Sequence, residues 1–488
     1  MLAAHPFPPI VRKAPLAFVA AVSLIGYVFL SFWFPFLPHF LRVPSPDIRA
    51  FTPSLLEGAA YAVWLVLMYS LCGLAYQRAK EMSRPPRLAF ILAAAFLFGL
   101  PLIITFPFNA TDVFRYEIRG RIASIYHQNP FAVPPDTFPD DPYLPLAGEW
   151  AGETSPYGPI WELTAAALSG VSRSSFYLGL ILFKGLGLLV HMAITAVIWQ
   201  VLREAGAARR SALTMLWGWN PVLLLVLVVD AHNDGLMLLW LMLGFWMVRR
   251  GRPSLGFLLM SLAPLSKPIG LLPLPWFFLV IWRELPDGRA RLRFGLLALL
   301  GAAAAVWLTF LPFGSPLDLA HRLLREASGG AGFSLPALII LVVQTLGGVI
   351  KAWQVKWIGP GLVGVTALWL AWRTWHGRSP LRGAADIFIA YLLQALNFRI
   401  WYAIWPFPWL LLDAGEQEHS RASAYRLRVG LWFLLTAQLS VLIYGHLRLY
   451  ALGGNQLLAH ALGVPFTLGL PFLLARQPIE SKSEDAGR

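Results

Sequence analysis

Apolar runs recur along the whole chain at the length needed to cross a hydrocarbon core of roughly 30 Å. They predict crossings near 15–36, 56–77, 88–107, 177–201, 211–229 and 234–249, a short pair at 253–266 and 268–282, and another at 294–312. Further runs cover 334–350, 353–373, 384–398, 401–413, 428–446 and 457–475. The first, Pro15 to Phe36 behind Arg12 and Lys13, is too long for a signal-peptide core and lacks a small-residue cleavage site, so it reads as a retained anchor. The expected fold is an all-α polytopic membrane protein of about 13–14 transmembrane helices, with a large extracytoplasmic loop after the third. One integral membrane domain is expected over 1–475, with the loop at 108–175 and a short polar cytoplasmic tail at 476–488.

Basic residues orient these runs. Arg78, Lys80, Arg84 and Arg87, then Arg203, Arg209 and Arg210, then Arg249, Arg250 and Arg252, then Arg283, Arg289, Arg291 and Arg293 all fall on one side. That side is expected to be cytoplasmic. The run 334–350 decides the second half. If it only dips into the bilayer, the clusters Arg373 to Arg382 and Arg421 to Arg428 return inside, leaving Lys351, Lys356, Arg399 and Arg448 as the outer minority. The charge rule favours that re-entrant or interfacial reading, with both termini inside and the cell (inner) membrane as the location.

Composition agrees. Of 488 residues, 57% are hydrophobic and only 13% charged, about half the charged share of a soluble domain. The mean hydropathy is +0.62. The net charge of +14 sits in short clusters between apolar runs, which argues for loops at a membrane and against nucleic acid as a partner. Cys72 is the only cysteine, which excludes an intrachain disulfide.

Four outward-facing features are expected to converge. The first is Asn109-Ala110-Thr111-Asp112-Val113-Phe114-Arg115-Tyr116. Thr111 suits a helix cap, and Asp112 suits the first turn behind it. Val113, Tyr116, Gly120 and Ile122, with Arg115, Arg119 and Arg121, suggest an amphipathic helix lying along the interface. The second is a proline-rich loop from Asn129-Pro130-Phe131 to Pro156-Tyr157-Gly158-Pro159, with Tyr143, Trp150 and Tyr157 as rings for a sugar face. An aromatic belt at the interface would use the same rings.

The third feature is Trp219-Asn220-Pro221, which should break a helix, followed by Asp230-Ala231-His232-Asn233-Asp234. The fourth is the pair of cations Lys267 and Arg399 in apolar surroundings, beside Trp401 and Tyr402. Such cations are functional candidates by default, with snorkelling anchors as the bland alternative. A lipid-linked sugar phosphate would fit between Lys267 and Arg399. Fixed cations there would stabilise the charge growing on the leaving phosphate. Asp112 would take the proton of the acceptor hydroxyl. His232 would bind or protonate the phosphate, with Asp230 or Asp234 fixing its tautomer. Arg115, Tyr116, Tyr157, Asp230, Asn233, Asp234, Trp401 and Tyr402 complete the expected substrate site.

At these residues the chain resembles the GT-C superfamily of polyprenyl-phosphate-sugar-dependent glycosyltransferases, and within it bacterial alpha-1,6-mannosyltransferases that use polyprenyl-phospho-mannose. The likeness rests on Thr111 to Tyr116 with Gly120, Asn129-Pro130-Phe131, Asp141-Pro142-Tyr143, Trp150 and Pro156 to Pro159. It continues through Trp219-Asn220-Pro221, His232-Asn233-Asp234, Lys267-Pro268, and Trp401-Tyr402 with Trp405-Pro406. The resemblance implies a GT-C-like bundle, an outward catalytic carboxylate at Asp112, an inverting single displacement and a membrane groove for the donor lipid. It also implies transfer of a hexose, mannose above all, to a glycan or glycolipid acceptor.

The sequence departs from the family in two places. Val113 stands where many members carry a second acid, so their metal dependence does not carry over. No cofactor is therefore expected to be required, although a divalent ion stays open. Ile400 stands where a proline often precedes the Trp-Tyr pair.

A secondary transporter or lipid flippase is the competing class, with a non-catalytic scaffold behind it. A transporter would place ionisable groups at depth, and Glu57, Lys184, His191 and Asp386 are the candidates. No internal repeat supports it.

Overall fold

The structure, a computed structural model, describes residues 14–326, 332–351, 354 and 357–476. Arg12, Lys13, Lys356 and the polar tail from 477 onward lie outside the described residues. Among those described, the elements are all helical, with one isolated bridge between Pro35 and Thr105. The chain is an all-α polytopic membrane protein.

Among the described residues, six helical stretches are long and apolar enough to cross a bilayer: Leu16–Trp33, Leu55–Glu81, Phe176–Glu204, Gly288–Phe310, Arg421–Tyr450 and Gln456–Leu474. The elements used below are α1 (Leu16–Trp33), α2 (Leu55–Glu81), α3 (Leu88–Ile103), α4 (Asp112–Ser124), α5 (Pro159–Ser172), α6 (Phe176–Val201), α7 (Ala207–Gly218), α8 (Asp234–Arg249), α9 (Gly288–Phe310), α10 (Leu335–Thr345) and α11 (Arg421–Leu442). Other predicted crossings are built from shorter or broken helices, or, at 353–373, from the unbroken but less apolar helix Ile358–Trp375. At 268–282, for example, a tight turn over Pro268–Leu271 precedes the helix Leu274–Glu284.

Local chemistry sets these boundaries. At the start of α2, Ser54 donates its hydroxyl to Glu57 (2.8 Å) and accepts from the Glu57 backbone N–H, a reciprocal cap. Asn220 caps the helix that begins at Pro221 by accepting from the Val222 N–H at 3.0 Å. The segments Ala207–Gly218 and Pro221–Val229 are bent by 42° at that point, the break that Asn-Pro predicts.

The run at 334–350 forms only the eleven-residue α10, which ends before Gly347 turns the chain at φ 86°. Eleven residues rise about 16 Å, roughly half of a hydrocarbon core. The α10 helix is thus too short to span, in keeping with a re-entrant or interfacial segment.

One large core of buried side chains extends from Leu16 to Leu468. The 108–175 region packs onto it through α4 and α5. Between these two helices only two tight turns form, at Pro135–Thr137 and Leu144–Trp150.

Two expectations about α4 are overturned. Thr111 occupies the cap position, but its hydroxyl makes no capping bond. Nor does α4 lie amphipathically along an interface, since Asp112 to Phe114 and Tyr116 to Ile122 are all buried. Its arginines tolerate burial because each finds partners. Arg121 bonds Asp141 at 2.9 Å and Arg119 donates to the Glu153 and Thr154 carbonyls. Glu117 accepts from Ser169 (2.8 Å) and Ser172 (2.9 Å) of α5, and Gly120 lets the two helices touch.

Candidate active site

Asp112 opens α4 at the end of a chain segment that has just left α3. Its Oδ1 accepts the Tyr157 hydroxyl at 3.1 Å and faces the Arg115 guanidinium at 3.4 Å. Burial pushes this carboxyl up. Arg115, His232, Lys267 and Arg399 together outweigh burial and hold it below the usual carboxylate range. All four cationic or basic groups expected at the site therefore act on one carboxylate.

Tyr157 is positioned by a close approach of two loops. The Gly158 N–H donates to the Ser266 carbonyl at 3.1 Å, and a Cβ on Gly158 would stand 2.1 Å from the Leu265 oxygen. Only glycine permits that contact. It docks the Pro156 to Pro159 motif directly against the segment carrying Lys267.

Lys267 sits in extended backbone between two short helical turns. Its Nζ lies 2.7 Å from Asp234 Oδ2 and over the rings of Tyr402 (5.3 Å) and Trp405 (5.7 Å). The Trp405 indole N–H donates to the other Asp234 oxygen. Asp234 begins α8 and is fully buried, so both of its oxygens are held.

His232 stacks on Trp401 with ring centroids 4.1 Å apart. Its ring is 3% exposed, yet neither nitrogen has a hydrogen-bond partner. Asp234 Oδ2 is 3.9 Å from Nδ1, beyond hydrogen-bond range. Neither Asp230 nor Asp234 therefore fixes the tautomer as expected. Burial pushes the imidazole down to about 4, against the opposing pull of Asp112 and Asp234, so the ring is neutral at neutral pH.

Asn233 accepts the Tyr116 hydroxyl at 3.4 Å, while its own amide nitrogen is unpartnered. Asp230 is buried with Oδ1 unpartnered. Arg399, half-buried, precedes the short turn Ile400–Ile404, which turns Trp401 and Tyr402 to the site and stacks Tyr402 on Trp405 at 4.2 Å. Ile400 thus opens a helical turn.

The structure joins most of the expected site residues by direct contact: Asp112 with Arg115 and Tyr157, Tyr116 with Tyr157 and Asn233, His232 with Trp401, and Lys267 with Asp234 and Tyr402. Among the described residues Arg399 and Asp230 make no direct contact with these side chains, and their charges act on Asp112 from a greater distance.

Three participants belong to the motifs read from sequence but not to the expected site residues. Trp405 holds Asp234. Trp150 lies under the Arg115 guanidinium at 4.8 Å. Asn109 is left with both amide atoms buried and unpartnered. Its spacing, three residues before Asp112, was the available signal. Tyr143 packs instead on Phe176 (4.3 Å) beneath Arg121, holding the fold. Among the described residues no three His, Cys, Asp or Glu side chains group as metal ligands.

The deep ionisable groups a transporter would need are tied into the fold. Lys184 donates to the Thr105 and Val229 carbonyls, both at 2.6 Å. His191 bonds the Gly218 carbonyl at 3.0 Å, Glu57 caps α2, and Asp386 joins Arg378 and Arg426.

Known proteins are similar to this chain. The family model described as alpha-(1->6)-mannopyranosyltransferase, N-terminal domain, matches residues 38–283. The alpha-(1->6)-mannopyranosyltransferase A of Mycobacterium tuberculosis is 25% identical over 364 residues, covering 69% of this chain and 67% of that protein. The A and B enzymes of that name from Corynebacterium glutamicum are 25% and 26% identical over 185 and 190 residues. Each of those matches covers 38% of this chain, and the chain spans only 36% and 31% of the two proteins' lengths. No solved structure matches the chain. The family match covers half of the sequence and includes Asp112, Tyr157, His232, Asp234 and Lys267, and the chain belongs to the alpha-(1->6)-mannopyranosyltransferase family.

Proposed function

We propose that this chain transfers a mannosyl group from a polyprenyl-phosphate donor to a hydroxyl of a glycan or glycolipid acceptor, with Asp112 as general base. The observation that carries the reading is one buried carboxylate, Asp112, which accepts the Tyr157 hydroxyl at 3.1 Å and faces the Arg115 guanidinium at 3.4 Å, with Lys267 and Arg399 also acting to keep it ionised. A carboxylate so placed is poised to accept a proton, and the cations around it are poised to receive a phosphate.

In the proposed step the acceptor O–H gives its proton to Asp112, and its oxygen attacks the anomeric carbon. The bond from that carbon to the phosphate oxygen breaks on the opposite face, with inversion. The leaving polyprenyl phosphate gains one negative charge. Arg399 and the remaining ammonium protons of Lys267 meet that charge in a site with little water. Asp234 and Trp405 fix the Lys267 head, which prevents it from collapsing onto Asp112. Neutral His232 offers one N–H to the phosphate and one lone pair to a sugar hydroxyl. Every step uses the chain's own side chains, and no cofactor is required.

The proposal places the site on the extracytoplasmic face of the cell (inner) membrane, supported by the basic clusters on the opposite loops.

Purified protein given polyprenyl-phospho-mannose and an oligosaccharide acceptor tests this. Asp112→Asn is expected to lose about 10²–10⁴ in rate while keeping its fold. Transfer by that variant at the wild-type rate removes Asp112 as the base.

A further inference from the structure

As a platform for a sugar, Tyr157 needs an open ring face, and the structure leaves it little. The residue is 8% exposed, the Arg119 guanidinium lies over its ring at 5.7 Å, and Tyr116 packs against it edge to face at 5.3 Å. Its hydroxyl has a different use. It donates to Asp112 Oδ1 at 3.1 Å, and Arg115 Nη1 reaches that same oxygen at 3.4 Å.

The two oxygens of Asp112 are therefore not equivalent. Among the described residues no hydrogen bond reaches Oδ2, yet Oδ2 is not one of the buried atoms left without a partner, so it is the oxygen a substrate can reach. A carboxylate turns easily about its last bond, so donors fixed on one oxygen decide where the other points. Tyr157 is itself held firmly enough to do this. Its backbone N–H donates to Ser155 Oγ at 3.2 Å, and that hydroxyl donates in turn to buried Glu162. The Ser155 N–H donates to the Pro130 carbonyl at 2.8 Å, and Gly158 docks the next residue against Leu265.

We propose that Tyr157 is a positioning residue for the base: its hydroxyl, with Arg115, fixes Asp112 by Oδ1 and leaves Oδ2 to take the proton of the acceptor. The inference rests on the reading of Asp112 as general base. In the step, the acceptor O–H bond breaks, its proton bonds to Oδ2, and its electron pair stays on the oxygen that attacks the anomeric carbon. Tyr157 keeps its own proton throughout.

The experiment measures kcat, the donor KM and the pH profile of transfer from polyprenyl-phospho-mannose for the full-length wild type, Asp112→Asn and Tyr157→Phe. Phenylalanine keeps the ring and removes only the hydroxyl, so a melting temperature close to that of the wild type is expected. The kcat should fall about ten- to hundredfold, with the donor KM held within about twofold. The acid limb of the profile should move up by roughly one pH unit, because the carboxylate loses a donor that favours its charged form. A Tyr157→Phe variant with the wild-type kcat and profile overturns the inference and leaves Asp112 as the base. So does a loss of kcat with a profile of unaltered shape, which a merely structural hydroxyl would give. Transfer by Asp112→Asn at the wild-type rate overturns the base and its positioning residue together.

Discussion

Lys267 stands 2.7 Å from Asp234 Oδ2 while Trp405 donates to the other oxygen of the same carboxylate. The ammonium is thus anchored between a carboxylate and the rings of Tyr402 and Trp405. Removing it leaves the charge of a fully buried acid uncompensated. Lys267→Met is expected to destabilise the fold by about 3–5 kcal/mol and to abolish dependence on the donor concentration. Lys267→Met combined with Asp234→Asn should recover most of the melting temperature but not the transfer, which separates the structural loss from the functional one.

Arg115 is the strongest of the charges that hold Asp112 ionised. Without it, burial dominates and the carboxyl rises. A base works only when deprotonated, so the low-pH limb of the rate profile should move to higher pH in Arg115→Met. The loss of rate should grow as the pH falls and shrink as it rises. A pH profile of parallel shape, merely lowered throughout, counts against this role.

His232 is neutral when folded, pushed down to about 4 from 6.5. On acidification an unfolded chain takes that proton first. The folded state therefore loses stability as the pH falls from about 6.5 towards 4, on the order of 1–2 kcal/mol by pH 5. Replacing His232 with Asn should flatten this part of the melting-temperature curve, and an unaltered slope would assign the acid sensitivity to other groups.

Gly120 brings α4 against α5, where an added Cβ would lie 2.3 Å from Ser169 Oγ and 2.5 Å from the Ala165 carbonyl oxygen. Gly120→Ala should lower stability by about 1–3 kcal/mol through overpacking, and activity should fall with it because α4 carries Asp112. Gly73→Ala, with nothing within 4 Å, is the matched control expected to melt like the wild type.

Helical class, membrane character and the gathering of Asp112, His232, Asp234 and Lys267 were legible from spacing and hydropathy, because each motif sits where an apolar run ends. What was not legible depended on partners distant in sequence. Arg119 and Arg121 read as the basic face of an amphipathic helix along the interface, since their partners Glu153, Thr154 and Asp141 lie 20 to 35 residues away. Thr111 read as a cap on residue type alone, whereas its hydroxyl makes no capping bond. Lys184 and His191 looked like a polar track at depth, but each is consumed by backbone carbonyls exposed where neighbouring helices end. The pairing of Lys267 with Asp234 was equally hidden, since 33 residues separate them.

Gly158 presses its backbone onto Leu265, leaving no thickness of side chain between them. Tyr157, which bonds the proposed proton acceptor, and the segment carrying the anchored ammonium thus rest on a common abutment. Parts joined in this way are preorganised, held by the backbone itself rather than by a side chain that could swing aside.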